Sequence, residues 1–250
     1  MSLADDRGRR VRSEERTDSA GKIVANRILE AIPDAEFRVI RPSLEFLHLP
    51  HHCILHEPSQ NLKYVYFPNS GLISLVVAME DGKTVEAAVV GREGAAGLPS
   101  AVALLRSPLR EVVQIPGEAF RVKVASLRNV LNSAPDLQMT LSRYAVVQGI
   151  QVAQTAACNR LHDLEQRLAR WLLMAQDRVA SASLFITHDF LATMLGTDRP
   201  SVSLAAGILQ KKRTIEYTRG TVKILNRRKL ENSACECYAV IQQFNAAVGL

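Results

Sequence analysis

The segment Thr187-His188-Asp189-Phe190-Leu191-Ala192-Thr193-Met194-Leu195-Gly196-Thr197-Asp198-Arg199-Pro200-Ser201-Val202-Ser203 reads as two short helices joined by a glycine turn. Thr187 supplies a hydroxyl that can cap the first helix, and Phe190, Leu191, Met194 and Leu195 recur at helical spacing to form a buried stripe. Gly196 can take the left-handed conformation that a sharp helix exit needs, and Ala192 is small enough to let a second helix cross closely. Val202, Ala205, Ala206 and Leu209 then face inward, while Arg199, Ser201, Ser203 and Leu204 lie near the start of the second helix, where recognition residues meet base edges. Any one of these features would suit an ordinary helical hairpin. Ala192, Gly196 and Val202 in register, with a basic segment following, point instead to a DNA-binding helix-turn-helix.

Charge supports the same reading. Residues 199–229 contain nine Lys or Arg and one acid, Glu216, for a net +8, whereas the whole chain of 250 residues is +6, so everything outside this window is net −2. A cationic footprint confined to one stretch fits a partner that carries phosphates. Within it, Thr214-Ile215-Glu216-Tyr217-Thr218-Arg219-Gly220-Thr221-Val222-Lys223-Ile224-Leu225 alternates apolar and polar residues around an Arg-Gly turn, which predicts a hairpin. A helix-turn-helix followed by a hairpin is a winged helix, and Lys211, Arg219 and Lys223 are its expected phosphate contacts.

The remainder predicts an α+β chain with several parts. Residues 1–20 carry five arginines balanced by five acids and almost nothing to bury, so a disordered tail is expected, without the apolar core of a signal peptide. No apolar run approaches the ~18 residues of a membrane span, and the four cysteines, Cys53, Cys158, Cys235 and Cys237, are too few and scattered for a disulfide framework. A cytoplasmic protein without membrane attachment is expected. After a first helix over about 22–31, Tyr64-Val65-Tyr66-Phe67 and Leu72-Ile73-Ser74-Leu75-Val76-Val77-Ala78 read as strands. Turns are marked by Pro68-Asn69-Ser70-Gly71, Asp81-Gly82 and Pro116-Gly117, giving a small antiparallel roll over 21–134. Helical spacing returns at Pro135. Leu137, Leu141, Tyr144, Val152 and Ala156, interrupted by Gln148, form a stripe expected to seam a homodimer over 135–160. A further helix over about 162–178 leads into the winged helix-turn-helix, assigned to 161–250.

This order of elements resembles the Crp/Fnr family of bacterial transcription regulators. The resemblance spans about residues 25–230 and includes Val90-Gly91-Arg92-Glu93-Gly94-Ala95-Ala96-Gly97-Leu98-Pro99, which looks like the family's glycine-rich effector loop. It implies a cyclic-nucleotide-binding-like jelly roll, a long dimerisation helix and a winged helix-turn-helix. It further implies a dimer on an inverted-repeat operator in double-stranded DNA, a small effector of unknown identity, and RNA polymerase as a further partner. By the same resemblance Gly94, Gly97, Leu98, Arg106, Ser107, Val152 and Ala153 would line the effector pocket. Cyclic AMP fits this set poorly. Gly97-Leu98-Pro99 lacks the ribose-binding carboxylate of the cyclic-AMP receptors, and Val152-Ala153 stand where those proteins place a hydrogen-bonding Thr-Ser pair; only Arg106-Ser107 matches the phosphate-binding pair. Thr187 and His188 fall where the family touches phosphate. Pro200 and Leu204 replace residues with which its best-known reader contacts bases, so a different operator is expected.

Other chemistries are weaker. An iron–sulfur cluster needs clustered thiolates, and no cysteine precedes Cys53. His48, His51, His52, Cys53 and His56 are a dense run of metal-ligand types, which leaves open a metal- or redox-responsive regulator or a cupin-like metalloenzyme, but a surface loop and an edge strand are the simpler reading. No nucleophile adjoins a base, so catalysis is not expected. No cofactor is identified. Cys235 and Cys237 read as partly buried packing residues.

Overall fold

The computed structural model describes residues 16–179 and 181–249. Two short helices, α1 (Arg27–Ala31) and α2 (Asp34–Ile40), precede seven strands: β1 (Glu45–Leu49), β2 (Ile54–His56), β3 (Tyr64–Pro68), β4 (Leu72–Ala78), β5 (Thr84–Val90), β6 (Leu109–Ile115) and β7 (Gly117–Lys123). They form two antiparallel sheets, ordered β1-β7-β3 and β2-β6-β4-β5. The expected turns hold these sheets together. Pro116 carries the chain from one sheet to the other, and Gly71, at φ +83°, must be glycine because a Cβ would lie 2.6 Å from the Ile115 carbonyl oxygen.

The first helix starts later than the sequence predicts. Asn26 caps α1, accepting from the Leu29 amide, and its side-chain nitrogen donates to the Pro68 and Gly94 carbonyls, so residues 22–25 run as an extended approach to the roll. The tail expected over 1–20 lies outside the described residues as far as residue 15. Residues 16–20 pack against the roll, where Arg16 binds the Leu29 and Ile32 carbonyls and Asp18 is buried.

After α3 (Val124–Leu131), the long helix α4 (Pro135–Leu161) matches its predicted span, but its stripe divides. Leu137, Leu141 and Tyr144 are buried in the core of their own chain's roll, with Phe67, Phe120 and Leu127, whereas Val152 and Ala156 are exposed. The reason is period. The 3.6-residue face that begins with Leu137 continues through Val147, Gln151 and Cys158, so Val152 and Ala156 turn away from it.

The C-terminal part comprises α5 (Leu164–Val179), β8 (Ser183–Phe185), α6 (His188–Leu195), α7 (Arg199–Lys211), β9 (Ile215–Thr218), β10 (Thr221–Ile224), α8 (Arg227–Ser233) and α9 (Cys237–Ala247). Its apolar core runs on into the roll: Trp171, Leu172 and Leu168 share one cluster with Leu72, Val89 and Ile115. Polar contacts fix this docking. The Trp171 indole donates to Glu86 Oε1 at 2.7 Å, and the Ser74 hydroxyl donates to Glu86 Oε2 at 2.5 Å. No helix among the described residues is long and apolar enough to cross a membrane.

Burial pushes the Glu86 carboxyl from 4.5 up to about 7, against the opposing effect of the Ser74 and Trp171 hydrogen bonds. The folded protein therefore keeps a proton that the unfolded chain releases, and stability falls as pH rises from 4.5 to about 7. Glu111, also buried and raised to about 7, acts with the same sign. Denaturant titrations across this window should show the fall reduced in Glu86→Gln, by on the order of 3 kcal/mol. An identical slope in the variant would contradict the assignment.

Candidate nucleic-acid interface

The helix-turn-helix forms as its residues dictate. Thr187 Oγ1 accepts from the Phe190 amide at 3.2 Å to open α6, and Gly196, at φ +59°, closes it while the Thr197 amide returns to the Ala192 carbonyl. Asp198 then caps α7. Its carboxylate accepts from the Ser201 amide and hydroxyl, both at 2.8 Å, and these bonds hold the carboxyl below its ordinary value. Val202, Ala205, Ala206 and Leu209 are buried as expected.

The outward face of α7 carries Arg199, Ser203, Leu204 and Lys211, with Leu204 72% exposed. Ile208, also exposed, extends the apolar part of this face by one turn. Its i, i+4 relation to Leu204 is visible in the sequence, although sequence reasoning did not single it out. Arg199 lies 3.4 Å from Asp189, and both side chains are exposed; such a pair is weak, so the guanidinium remains available to a ligand. Ser201 is occupied in capping. Ser203 donates to the Arg199 carbonyl at 3.0 Å and lies 2.9 Å from His188 Nδ1.

His188 is held differently from what a phosphate contact requires. Its ring stacks near Tyr217, with centroids 4.0 Å apart, its Nε2 is buried, and burial together with the Arg199 guanidinium lowers its pKa. The imidazole is thus neutral near pH 7, bracing α6 against α7 and β9. Thr187 and His188 both sit at the start of α6, beside the hairpin turn.

The wing is a three-stranded sheet, β8-β10-β9. Its hairpin turns on Arg219 at φ +46° and Gly220 at φ +79°, the two positive values of a two-residue type I′ connection. Arg219 stands exposed at the tip, and Lys223 is exposed along β10. Two other basic residues of the 199–229 window are committed to the fold. Lys212 pairs with Glu165 at 2.5 Å, and Arg227 pairs with Asp177 and Glu231 at 2.7 and 2.9 Å.

The residues expected around an effector do not converge on one cavity. Gly97, at φ +81°, packs on the Tyr64 backbone and donates its amide to Glu111, and Gly94 abuts the Tyr144 ring. Leu98 lines an apolar cavity of about 200 Å³ between the 3-10 turn Leu98–Val102 and α4, with Leu141 and Gln148 opposite. Arg106 lies elsewhere, exposed and donating to Asn61 at 3.1 Å, and Ser107 is buried, its hydroxyl accepting from the Leu109 amide. Val152 and Ala153 point away from the roll, because the helical period gives Gln151 that face. Glu93 was missed. From the glycine-rich loop it pairs with Arg178 of α5 at 2.8 Å, deep in the interface between roll and C-terminal part.

In the His48–His56 run, His48 lies in β1, His51 and His52 form the turn that follows, and His56 ends the edge strand β2. The His51 and His52 rings lie 3.8 Å apart, but among the described residues no third ligand of the run joins them. Among the described residues, the group of His, Cys, Asp and Glu that does converge is Cys158, His162, Cys235 and Cys237.

Residues 166–233 match the Crp-like helix-turn-helix domain family. No curated protein sequence matches the chain. Its fold is similar to that of FixK2 from Bradyrhizobium japonicum, at 16% identity and a TM-score of 0.67, covering 77% of this chain and 98% of that one. It is also similar to CLP, a c-di-GMP responsive global regulator of Xanthomonas campestris, at 15% identity, a TM-score of 0.61, and coverage of 77% and 99%. A transcriptional regulator of the CRP family from Thermus thermophilus gives 18% identity, a TM-score of 0.62, and coverage of 75% and 96%. The chain thus has the fold of Crp/Fnr-type regulators, with a Crp-like helix-turn-helix at its C-terminal end.

Because Gly196 occupies the left-handed region and a Cβ there would also press on Val85 at 3.3 Å, Gly196→Ala should destabilise the protein by about 1 to 2 kcal/mol. A urea midpoint shifted downward at unchanged slope is the expected observation.

Proposed function

We propose that this chain is a transcriptional regulator of the Crp/Fnr type. It acts in the cytoplasm as a homodimer on an inverted-repeat operator in double-stranded DNA, under control of a small effector bound by the roll, with RNA polymerase as a further partner. The observation that carries this reading is that Arg199, Leu204 and Lys211, spread along α7, and the wing residues Arg219 and Lys223 are all exposed, with α7 packed on β9 of the wing. A helix exposing these residues suits the major groove: Arg199 offers a bidentate fork to guanine and Leu204 an apolar surface to a thymine methyl, while Lys211, Arg219 and Lys223 meet phosphates.

Cyclic AMP is not the effector in this reading. Arg106 is turned toward Asn61, Val152 and Ala153 face away from the roll, and the cavity beside Leu98 is lined mainly by apolar groups. Such a cavity suits a small, largely apolar ligand.

Support for the homodimer comes from the other side of α4. With Leu137, Leu141 and Tyr144 buried in their own roll, the helix still exposes Met139, Val146, Gly149, Ala153 and Ala156. Their separations of seven, three, four and three follow a coiled-coil seam, and nothing lies within 4 Å of a Cβ built on Gly149. Val146→Glu should therefore yield monomers in sedimentation with the fold intact, whereas Leu141→Glu should unfold the roll. A dimeric Val146→Glu protein would refute this seam.

Neutralising Lys211, Arg219 and Lys223 should weaken binding to all duplexes alike. Each of the three that truly meets a phosphate should, once neutralised, flatten the slope of log affinity against log salt by about 0.9. Arg199→Ala should instead cost about 1 to 3 kcal/mol on the preferred sequence and relax one base position. Absence of duplex binding by the wild type, or an unchanged salt slope in the variants, would overturn the assignment.

A further inference from the structure

Two pairs of residues far apart in sequence, Cys158 with His162 and Cys235 with Cys237, meet where the long helix hands over to the DNA-binding domain. Cys158 lies in the last turn of α4, His162 follows the helix end, Cys235 lies between α8 and α9, and Cys237 opens α9. The three cysteines are buried, the most exposed of them at 4%, and form a cluster of their own, apart from the apolar cores. Cys158 Sγ lies 3.4 Å from Cys235 Sγ, Cys237 Sγ lies 3.6 Å from His162 Nδ1, and all four ligand atoms lie within 4.8 Å of one another.

From this arrangement we infer that Cys158, His162, Cys235 and Cys237 form a binding site for a single zinc ion. A tetrahedral zinc with arms of about 2.3 Å to sulfur has ligand-to-ligand edges of about 3.8 Å, close to the spacings found here. An iron–sulfur cluster distributes its thiolates over several irons, which does not suit ligand atoms gathered this tightly. The imidazole is already oriented as a zinc ligand. Its Nδ1 faces the sulfurs, while Nε2 lies 3.2 Å from Glu236 Oε1, the outer carboxylate that commonly fixes a zinc-bound histidine.

Charge is also provided for. Zinc displaces the three thiol protons into solvent, leaving a complex of net −1. Arg170, buried at 4% exposure, is held by Thr155 and the Met174 sulfur, and its Nε has no hydrogen-bond partner. Through Thr155, one turn before Cys158 on α4, its guanidinium is placed beside the site. Four protein ligands complete a tetrahedral shell and leave no open position for a reacting water, so the ion is structural. It closes a span of 77 residues between Cys158 and Cys235, clipping α9 and the whole helix-turn-helix domain to the end of α4.

Metal analysis of the full chain, purified with a reductant and desalted, should find about one zinc per chain, held through gel filtration. Cys235→Ser should lose it and Cys53→Ser should keep it. If Cys235→Ser fails to fold, the wild type still decides: after chelation and addition of cobalt(II) it should show the intense visible bands of a tetrahedral thiolate site. Alkylation followed by mass spectrometry should label Cys53 alone in the zinc form and all four cysteines after chelation. Only trace zinc after reconstitution of reduced, folded protein would overturn the proposal, as would iron with inorganic sulfide, or zinc retained in folded Cys235→Ser.

Discussion

Arg178 of α5 meets Glu93 of the roll at 2.8 Å with both side chains almost wholly removed from water, and the remaining bonds of the guanidinium tie in two more places. Nη1 donates to the Met174 carbonyl, and Nη2 donates to Gln151 of the long helix at 3.3 Å. Glu93 in turn accepts from the Gly91 amide. One buried charge pair thus touches the glycine-rich loop of the roll, α4 and α5 at once. Breaking such a pair by removing one partner costs about 3 to 5 kcal/mol, because the other charge is left stranded. Gly91 belongs to the same constraint: a Cβ there would lie 2.6 Å from the Arg178 Cβ.

The rest of the arrangement follows from that junction. With Arg178 anchored, α5 lies along the roll, Trp171 reaches Glu86, and the helix-turn-helix is carried with α6 against β5 while the recognition helix stays exposed. Between the His51-His52 turn and the start of α6 a cleft of about 710 Å³ remains. The reader is therefore fixed to the roll chiefly through α5 and β5. The 91–97 loop is thereby joined to α4 and α5 together through Glu93, Arg178 and Gln151.

Features carried by local chemistry were legible in the sequence. Gly196 and the Arg219-Gly220 pair announce their turns through backbone conformations that few other residues adopt, and Val202, Ala205, Ala206 and Leu209 announce a buried face by period alone. Less legible was anything decided by a distant partner. Leu137 and Val152 look alike on a helix that is apolar on most sides, and only the presence of the roll tells which one is covered. Glu93 reads as part of a glycine-rich loop until Arg178, 85 residues away, is seen beside it. His188 reads as a residue placed to touch phosphate until Tyr217 and Ser203 are seen beside its ring. Cys235 and Cys237 read as packing residues because Cys158 and His162 reach them only through the fold.

The proposed function has operator recognition resting on two identical readers acting through one symmetric site, since a single winged helix makes too few base contacts to discriminate within a genome. Selection of bound sequences from random duplex DNA by the full-length protein tests this most directly. The predicted result is an inverted repeat with half-site centres about one helical turn, roughly 10 base pairs, apart. An enriched single half-site without symmetry, or no enriched sequence at all, would contradict it.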